Sequence, residues 1–354
     1  MLTNKVKRYL VTGGDGFIGS ALVRYLLDHT NHQVLNISKA SYSVSPQTLK
    51  SYQHHPRYHY QKLDICEAVP LKKVIYGYQP DVIVHLAAES HVDNSIFSPD
   101  PFIESNIIGT YTLIKIALDY WQTCKRDFRL HHVSTDEVYG SLSEEGTFTE
   151  TTAYAPNSPY AASKAASDLL VRAWHKTYGF PMTMSHCSNN YGPYQFPEKL
   201  IPTMIIKALR GERLPIYGNG QNIRDWLYVD DHIDALMQII DKGRIGESYC
   251  ISGQTEIRNI DLVLDICRIL DTMAPNSSHE SYRQLISYVP DRLGHDYRYA
   301  SDIGKISTAL GWVARTPFKQ GLVSTVRWYL DNQGWWQGLL AQKPSLPQDS
   351  EVRL

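Results

Sequence analysis

The stretch TGGDGFIGS near the N-terminus constrains the fold more than any other part of the 354-residue chain. It spaces Gly13, Gly16 and Gly19 three apart. It lies directly between a short apolar strand, RYLVT, and a run with Ile18, Leu22 and Leu26 at helical spacing. A strand that feeds a helix through such a turn is the fingerprint of a dinucleotide site. Gly13 permits the tight turn, Gly16 lets the backbone approach a pyrophosphate, and Gly19 lets the helix pack close to the sheet. The helix N-terminus then faces the anion.

The following segments repeat the alternation. HQVLNIS reads as a second strand, and DVIVHLAA (81–88) as a strand covered on both faces. PFIESNIIGTYTLIKIALDYW reads as a helix, FRLHHVS (128–134) as a strand, YAASKAASDLLVRAWHKTYG as a helix and FPMTMSHCS as a strand. DWLYVDDHIDALMQII is expected to return to the sheet as one more strand and helix. Strands alternating with helices imply an α/β fold, a doubly wound parallel sheet of the Rossmann type. SNNYGPYQFPEKLIP and LPIYGNGQNIRDWLYVDD, rich in Pro, Gly, Asn and aromatics, suit loops lining a site. The chain is long enough for two lobes. The expected division is a nucleotide-binding domain over 1–190 plus about 226–254, a smaller C-terminal α/β substrate-binding lobe over 191–225 and 255–340, and a loose tail over 341–354. Trp335 and Trp336 are expected to cap a hydrophobic surface.

A net charge of −1 offers no field for nucleic acid or an anionic membrane, so neither is expected as a partner. Five scattered cysteines (66, 124, 187, 250 and 267) read as buried thiols rather than a disulfide framework or zinc site. His85 and His91 lack a suitably spaced third ligand, so no metal is expected. The opening residues contain no apolar signal core, and no run of 18 apolar residues occurs; a cytoplasmic protein is expected.

Two residues depart from an ideal NAD site. An acidic residue is expected about 20 residues past the glycines, to bind both ribose hydroxyls. The chain has Ser38 there, followed by Lys39. Asp15, inside the glycine loop, adds a negative charge near the phosphates unless it points outward. NAD is the expected cofactor, and Ser38 leaves the choice against NADP open. Asp64, in LDI, either borders the adenine or caps a helix.

Tyr160 and Lys164 stand i, i+4 on one helix face. With Thr135 at a strand end, they form the short-chain dehydrogenase arrangement. Tyrosine must exchange a proton at neutral pH, far below its ordinary value, and a nearby ammonium and the positive nicotinamide ring favour the phenolate. HHVSTDEVYG adds two adjacent carboxylates, Asp136 and Glu137. Neighbouring residues on a strand point to opposite faces. The pair can serve one substrate only where the chain leaves the strand and turns, at the carboxyl end where open α/β sheets bind ligands. Oxidation alone needs no such pair. Removal of water does: one carboxylate takes a proton from carbon and one carboxylic acid protonates the leaving hydroxide.

TGGDGFIGS, HLAAESHVDNSI, STDEVYG, SPYAASKAASD, CSNNYGPYQFPEKLIP, GNGQNIRDWLYVDDH and DRLGHDYRYASD together resemble the dTDP-glucose 4,6-dehydratase family of extended short-chain dehydrogenase/reductases, from about residue 8 to about 336. The resemblance implies oxidation of dTDP-glucose at C4, loss of water across C5–C6 and hydride return to C6. Thr135, Tyr160 and Lys164 would serve the oxidation, Glu137 would be the base at C5, and Asp136 the acid at the C6 hydroxyl. Phe17, Ile18, Lys39, Asp64, Ile65, Leu86, Ala87, Ala88 and Asn190 match cofactor positions, and Ser105 stands where threonine is usual. Ser90, Asn189, Lys199, Leu200, Pro215, Tyr217, Arg224, Asn259, Arg292 and His295 match substrate positions. Arg224 and Arg292 suit a diphosphate; each could instead form a surface salt bridge, and Tyr217 could pack in a core. The resemblance implies a homodimer through helices of the nucleotide-binding lobe, here 102–120 and 160–174, whose apolar stripes could equally be helix-to-sheet core. Another nucleotide-sugar 4,6-dehydratase, a 4-epimerase, or a nucleotide-binding regulatory protein without catalysis are the other readings. An epimerase leaves Asp136 and Glu137 without a task.

Overall fold

A computed structural model describes residues 5–39, 47–124, 126–276 and 280–342; most of the expected tail, 343–354, lies outside the described residues. Seven strands form one parallel sheet. In chain order they are β1 (Arg8–Thr12), β2 (Gln33–Ser38), β3 (Tyr58–Lys62), β4 (Val82–His85), β5 (Arg129–Thr135), β6 (Met182–Cys187) and, after a long excursion, Ser248–Ile251. Across the sheet the order is Ser248–Ile251, β6, β5, β4, β1, β2, β3. The direction of winding reverses between β1 and β4, so the carboxyl ends of those strands open a crevice.

Residue parity explains why this sheet is covered on both sides. Tyr9, Val11, Val34, Val82 and Val84 face one core, shared with Leu22, Leu26, Ile233 and Leu236 of the helices Phe17–His29 and Val229–Lys242. Leu10, Leu35, Ile37, Ile83 and Leu130 face the other, with Ile75, Leu113 and Ile114 of the helices Ala68–Tyr78 and Thr110–Cys124. A third core fills the C-terminal part, around Ile205, Ile216, Leu262, Ile266, Leu322 and Val326. Trp335 and Trp336 are members of that core, not a cap on its surface.

Two expectations change. The segment Ile223–Tyr228 is a strand, but it does not return to the main sheet. It joins a three-stranded sheet between Asn189–Tyr191 and Glu256–Arg258. Only Ser188 separates β6 from Asn189–Tyr191, too little chain for a parallel crossover of a dozen residues. The chain therefore leaves the sheet, and the seventh place is filled only after the helix Val229–Lys242. Second, the helix expected over 101–121 is broken by a π-helical stretch, Ile103–Gly109. Such wide turns cluster at functional sites. Here it turns Ser105 and Asn106 inward, both buried.

Five imidazoles are buried in and beside the sheet, and four of them, those of His85, His131, His132 and His232, shift strongly. His85 bonds the hydroxyls of Thr12 and Thr110, and His131 those of Thr183 and Ser185. Burial pushes His85 and His131 well below the ordinary range, His132 down to about 4 and His232 to about 3. All four are therefore neutral when folded. The unfolded chain protonates each near pH 6.5. Stability is full above that value and is lost as pH falls toward 4, by about 1.4 kcal/mol per pH unit for each histidine. The melting temperature should therefore drop steeply between about pH 7 and pH 5; a flat profile would contradict neutral burial.

Candidate active site

The glycine turn shows the strictest local demand. Gly13 has φ +71°, and a Cβ on it would stand 2.8 Å from the Ala87 backbone. A Cβ on Gly19 would collide with the carbonyl oxygen of Gly13. Thr12 pins the facing loop: its hydroxyl accepts from the backbone N–H of Leu86 and Ala87. Gly13→Ala meets both strain and contact, and should cost about 1–3 kcal/mol in urea unfolding. A loss under about 0.5 kcal/mol would mean that the turn relaxes.

All the expected cofactor positions line one cleft over the crevice. They are Gly13, Gly16, Phe17, Ile18 and Gly19 in the turn and first helix, Ser38 and Lys39 after β2, Asp64 and Ile65 after β3, Leu86, Ala87 and Ala88 after β4, Ser105 in the π-helical stretch, Tyr160, Lys164 and Asn190. Asp64 also accepts from the backbone N–H of Cys66 at 2.9 Å, so it caps the next turn while lining the cleft. Lys39 pairs with Glu89 at 2.6 Å and donates to Ser105 at 2.8 Å.

A second cleft continues from the first. It is lined by Ser90, Asn189, Lys199, Leu200, Pro215, Tyr217, Arg224, Asn259, Arg292 and His295. Arg224 is buried and is not a surface salt bridge. Its guanidinium donates to the carbonyls of Asp296 at 2.9 Å and Ile223 at 2.8 Å, lies 4.3 Å from the Tyr299 ring centre, and makes no ion pair among the described residues. Arg292 does form an ion pair, with Asp93, and covers the ring of Tyr217, which is 40% exposed and not core. His295 pairs with Asp291 at 2.6 Å. The amide oxygens of Asn189 and Asn259 are buried without a protein partner, the condition that a bound polar ligand relieves.

Glu137 lines both clefts. The chain leaves β5 at Thr135 and enters a 3-10 turn, Asp136–Tyr139, so both carboxylates project from a turn rather than from opposite strand faces. The Thr135 hydroxyl accepts from Glu137 N–H at 3.3 Å and donates to Asp136 at 3.4 Å. Burial raises both acids, but to different degrees. Asp136 goes well above the usual carboxylate range, with Glu137 and Asp225 adding to the rise. Glu137 is raised by burial and drawn back by Arg224, Lys199 and Arg292. One carboxyl is pushed further toward its protonated form and the other faces cations, the kind of separation that suits an acid and a base.

Ser158 caps the helix Pro159–Tyr178, accepting from Ala161 N–H, and Ser95 accepts from Tyr160 N–H at 3.2 Å. Lys164 donates to the Val133 carbonyl at 2.9 Å. Burial, followed by Glu137, holds the phenol well above its ordinary value.

Sequence reasoning missed what lies behind these residues. Asp168 is four residues beyond Lys164 on the same helix and fully buried. It accepts from His132 Nε2 at 2.9 Å, Ser134 Oγ at 2.7 Å, His186 Nε2 at 3.1 Å and Tyr154 OH at 3.2 Å. Asn106 was missed too; it bonds both Glu89 backbone groups and Ser163. The spacing 160, 164, 168 was a readable signal; the π-helical stretch that aims Asn106 was not.

The chain matches a family model described as GDP-mannose 4,6 dehydratase over residues 10–325. It is 50% identical over 348 residues to a dTDP-glucose 4,6-dehydratase of Escherichia coli, covering 94% of this chain and 96% of that one. It is 53% identical over 336 residues to a probable dTDP-glucose 4,6-dehydratase of Sinorhizobium fredii, covering 94% and 95%. Among solved structures, the dTDP-glucose 4,6-dehydratase DesIV of Streptomyces venezuelae, crystallised with NAD, superposes with a TM-score of 0.86 at 44% identity, over 94% of this chain and 99% of that one. Such identity across nearly the whole of both chains, on one fold, admits a single placement: the chain belongs to the dTDP-glucose 4,6-dehydratase family.

Proposed function

We propose that the protein converts dTDP-glucose to dTDP-4-keto-6-deoxyglucose, with NAD as a cofactor that is unchanged over the cycle. The observation that carries this reading is the Asp136–Glu137 pair, the first buried and the second half-buried, turned out of a strand end where the two clefts meet. The residues of the first cleft fit a dinucleotide: Gly13 and Gly19 form a cradle that any Cβ would fill. Gly13, Gly16–Gly19, Ser38, Lys39, Asp64, Ile65, Leu86–Ala88, Ser105 and Asn190 would hold the cofactor. When bound, it supplies the acceptor for the C4 hydride and then the donor of that hydride to C6.

The chain's own groups move the protons. Tyr160 takes the proton of the C4 hydroxyl; the positive ring of a bound cofactor and the Lys164 ammonium would favour the phenolate this needs. Thr135 bonds the same oxygen, and Lys164 also holds the helix face to the strand end. The resulting 4-ketone acidifies C5–H, which Glu137 removes. Asp136, kept protonated, gives its proton to the C6 hydroxyl, which departs as water. Glu137 returns its proton to C5 once C6 is reduced. Arg224 and Arg292 suit the diphosphate, and Tyr217, Asn189, Lys199, Asn259 and His295 border the rest of the nucleotide sugar.

Two cores support the proposed division near residue 226: Trp226 packs in the C-terminal core and Leu227 beneath the main sheet. A homodimer is supported by exposed apolar side chains on neighbouring helices, Ile103, Ile108, Tyr111 and Leu169. Unpaired thiols at all five cysteines suit the cytoplasm. No helix among the described residues is long and apolar enough to cross a membrane.

The test is mass spectrometry of protein incubated separately with dTDP-glucose, UDP-glucose and GDP-mannose. Loss of one water from the dTDP sugar alone, without net reduction of NAD, is expected. A C4 epimer without water loss would show an epimerase. Water loss from GDP-mannose alone would move the substrate to the other dehydratase.

A further inference from the structure

Ser38 and Asp15 looked like separate defects of the cofactor site; in the structure they touch. β1 and β2 run side by side with Thr12 opposite Ile37, and the Gly13 N–H donates to the Ile37 carbonyl at 2.8 Å. The turn that carries Asp15 therefore begins beside the end of β2. The Asp15 side chain reaches across that gap instead of toward the phosphates. It accepts from Asn36 Nδ2 at 2.5 Å, and its carboxyl also bonds the hydroxyls of Ser38 and Tyr60. Tyr60 stands opposite Asn36 on β3, so three neighbouring strands converge on this one carboxylate. Ser38 is buried and lines the cleft wall; Asp15 is the charge directly behind it.

A serine hydroxyl has one hydrogen to give. A carboxylate only accepts, so the Ser38–Asp15 bond is made with that hydrogen, and a lone pair of the Ser38 oxygen can serve the cleft that it lines. We propose that Asp15 supplies from the glycine turn the carboxylate that the end of β2 lacks, orienting Ser38 to accept from the adenosine ribose hydroxyls and setting a negative charge against a 2′-phosphate. Asp15 is thus a positioning residue that fixes the choice of NAD over NADP. The nearest cation does not offset it, because Lys39 is engaged by Glu89 and Ser105. The inference rests on the proposed dinucleotide site.

The test is competition. Full-length protein is dialysed against equal NAD and NADP, and the retained dinucleotides are quantified by mass spectrometry after denaturation. Wild type should retain NAD over NADP by about 100-fold. Asp15→Asn, nearly the same shape without the charge, should reduce that ratio about tenfold or more. Damage to the turn alone would weaken both dinucleotides and leave the ratio. The double variant Asp15→Ala/Ser38→Asp moves the carboxylate back to the strand end and should restore the ratio to within about threefold. An Asp15→Asn ratio within about twofold of wild type overturns the inference, as does a folded double variant that does not favour NAD. If Asp15→Asn proves unfolded by circular dichroism, the double variant decides alone. Water loss from dTDP-glucose is followed in parallel at saturating NAD. Wild type that retains neither dinucleotide and eliminates no water overturns the proposed function along with this inference; normal turnover with an unmoved ratio overturns this inference alone.

Discussion

Glu137→Gln should oxidise dTDP-glucose at C4 and then stall, with water loss slowed by about 10²–10⁴-fold. Glutamine keeps the shape of the side chain but has no basic oxygen to take the C5 proton. Thr135, Tyr160 and Lys164 are untouched by the change, so the first oxidation proceeds. The variant should accumulate reduced cofactor and the 4-ketone, seen as nicotinamide absorbance that rises with substrate and persists. Asp136 cannot substitute, because burial and its neighbours hold it protonated, well above the usual carboxylate range. Removing Glu137's charge also removes one cause of that rise, so Asp136 should titrate lower in the variant. Elimination at the wild-type rate would show that Glu137 is not the base.

Asp168→Ala should have the largest effect on folding, about 3–5 kcal/mol. Burial alone would raise this carboxyl, yet hydrogen bonds from His132 and His186 hold it far below its ordinary value. His132 donates as a neutral group, since it sits near 4. Truncation strands three buried donors, on His132, Ser134 and His186, and takes one partner from the half-buried Tyr154 hydroxyl. A typical domain has about 5–15 kcal/mol in total. Urea denaturation should show a lower midpoint at unchanged slope, and Asp168→Asn, which keeps one acceptor, should recover part of the loss. A change under about 1 kcal/mol would mean the cluster is already open to solvent. Because His132 and Ser134 lead directly into Thr135, partly stable variants should also turn over more slowly.

Much of this was legible because parallel strands and dinucleotide turns carry strong local signals. β1 and β4 are short apolar runs, β2, β5 and β6 are almost wholly buried with polar residues interleaved, and the glycines mark where the first ends. β3 was harder: YHYQK has one buried residue and four exposed ones, the profile of an edge strand. DWLYVDDHIDALMQII was read correctly as strand and helix but assigned to the wrong sheet, since local periodicity is blind to which edge a strand joins. The π-helical stretch left no mark, because seven residues of wider turn barely shift a helical pattern. The reacting groups were legible as types at a spacing. Which acid stays protonated was not, because Asp225 and Arg224 approach from another sheet. Asp15 was visible only as a misplaced charge; its partner 23 residues on is brought to it by the pairing of two strands.

The strand Ile223–Tyr228 sends Trp226 into one core and the adjacent Leu227 into another. A single peptide bond thus rivets two bodies that would otherwise unfold on their own schedules. The molecule should melt as one calorimetric unit, its van't Hoff and measured enthalpies agreeing. On the proposed division, the half that would hold the sugar is then expected to stay docked through turnover, with product leaving by small rearrangements at the cleft mouth while the rest of the protein stays whole.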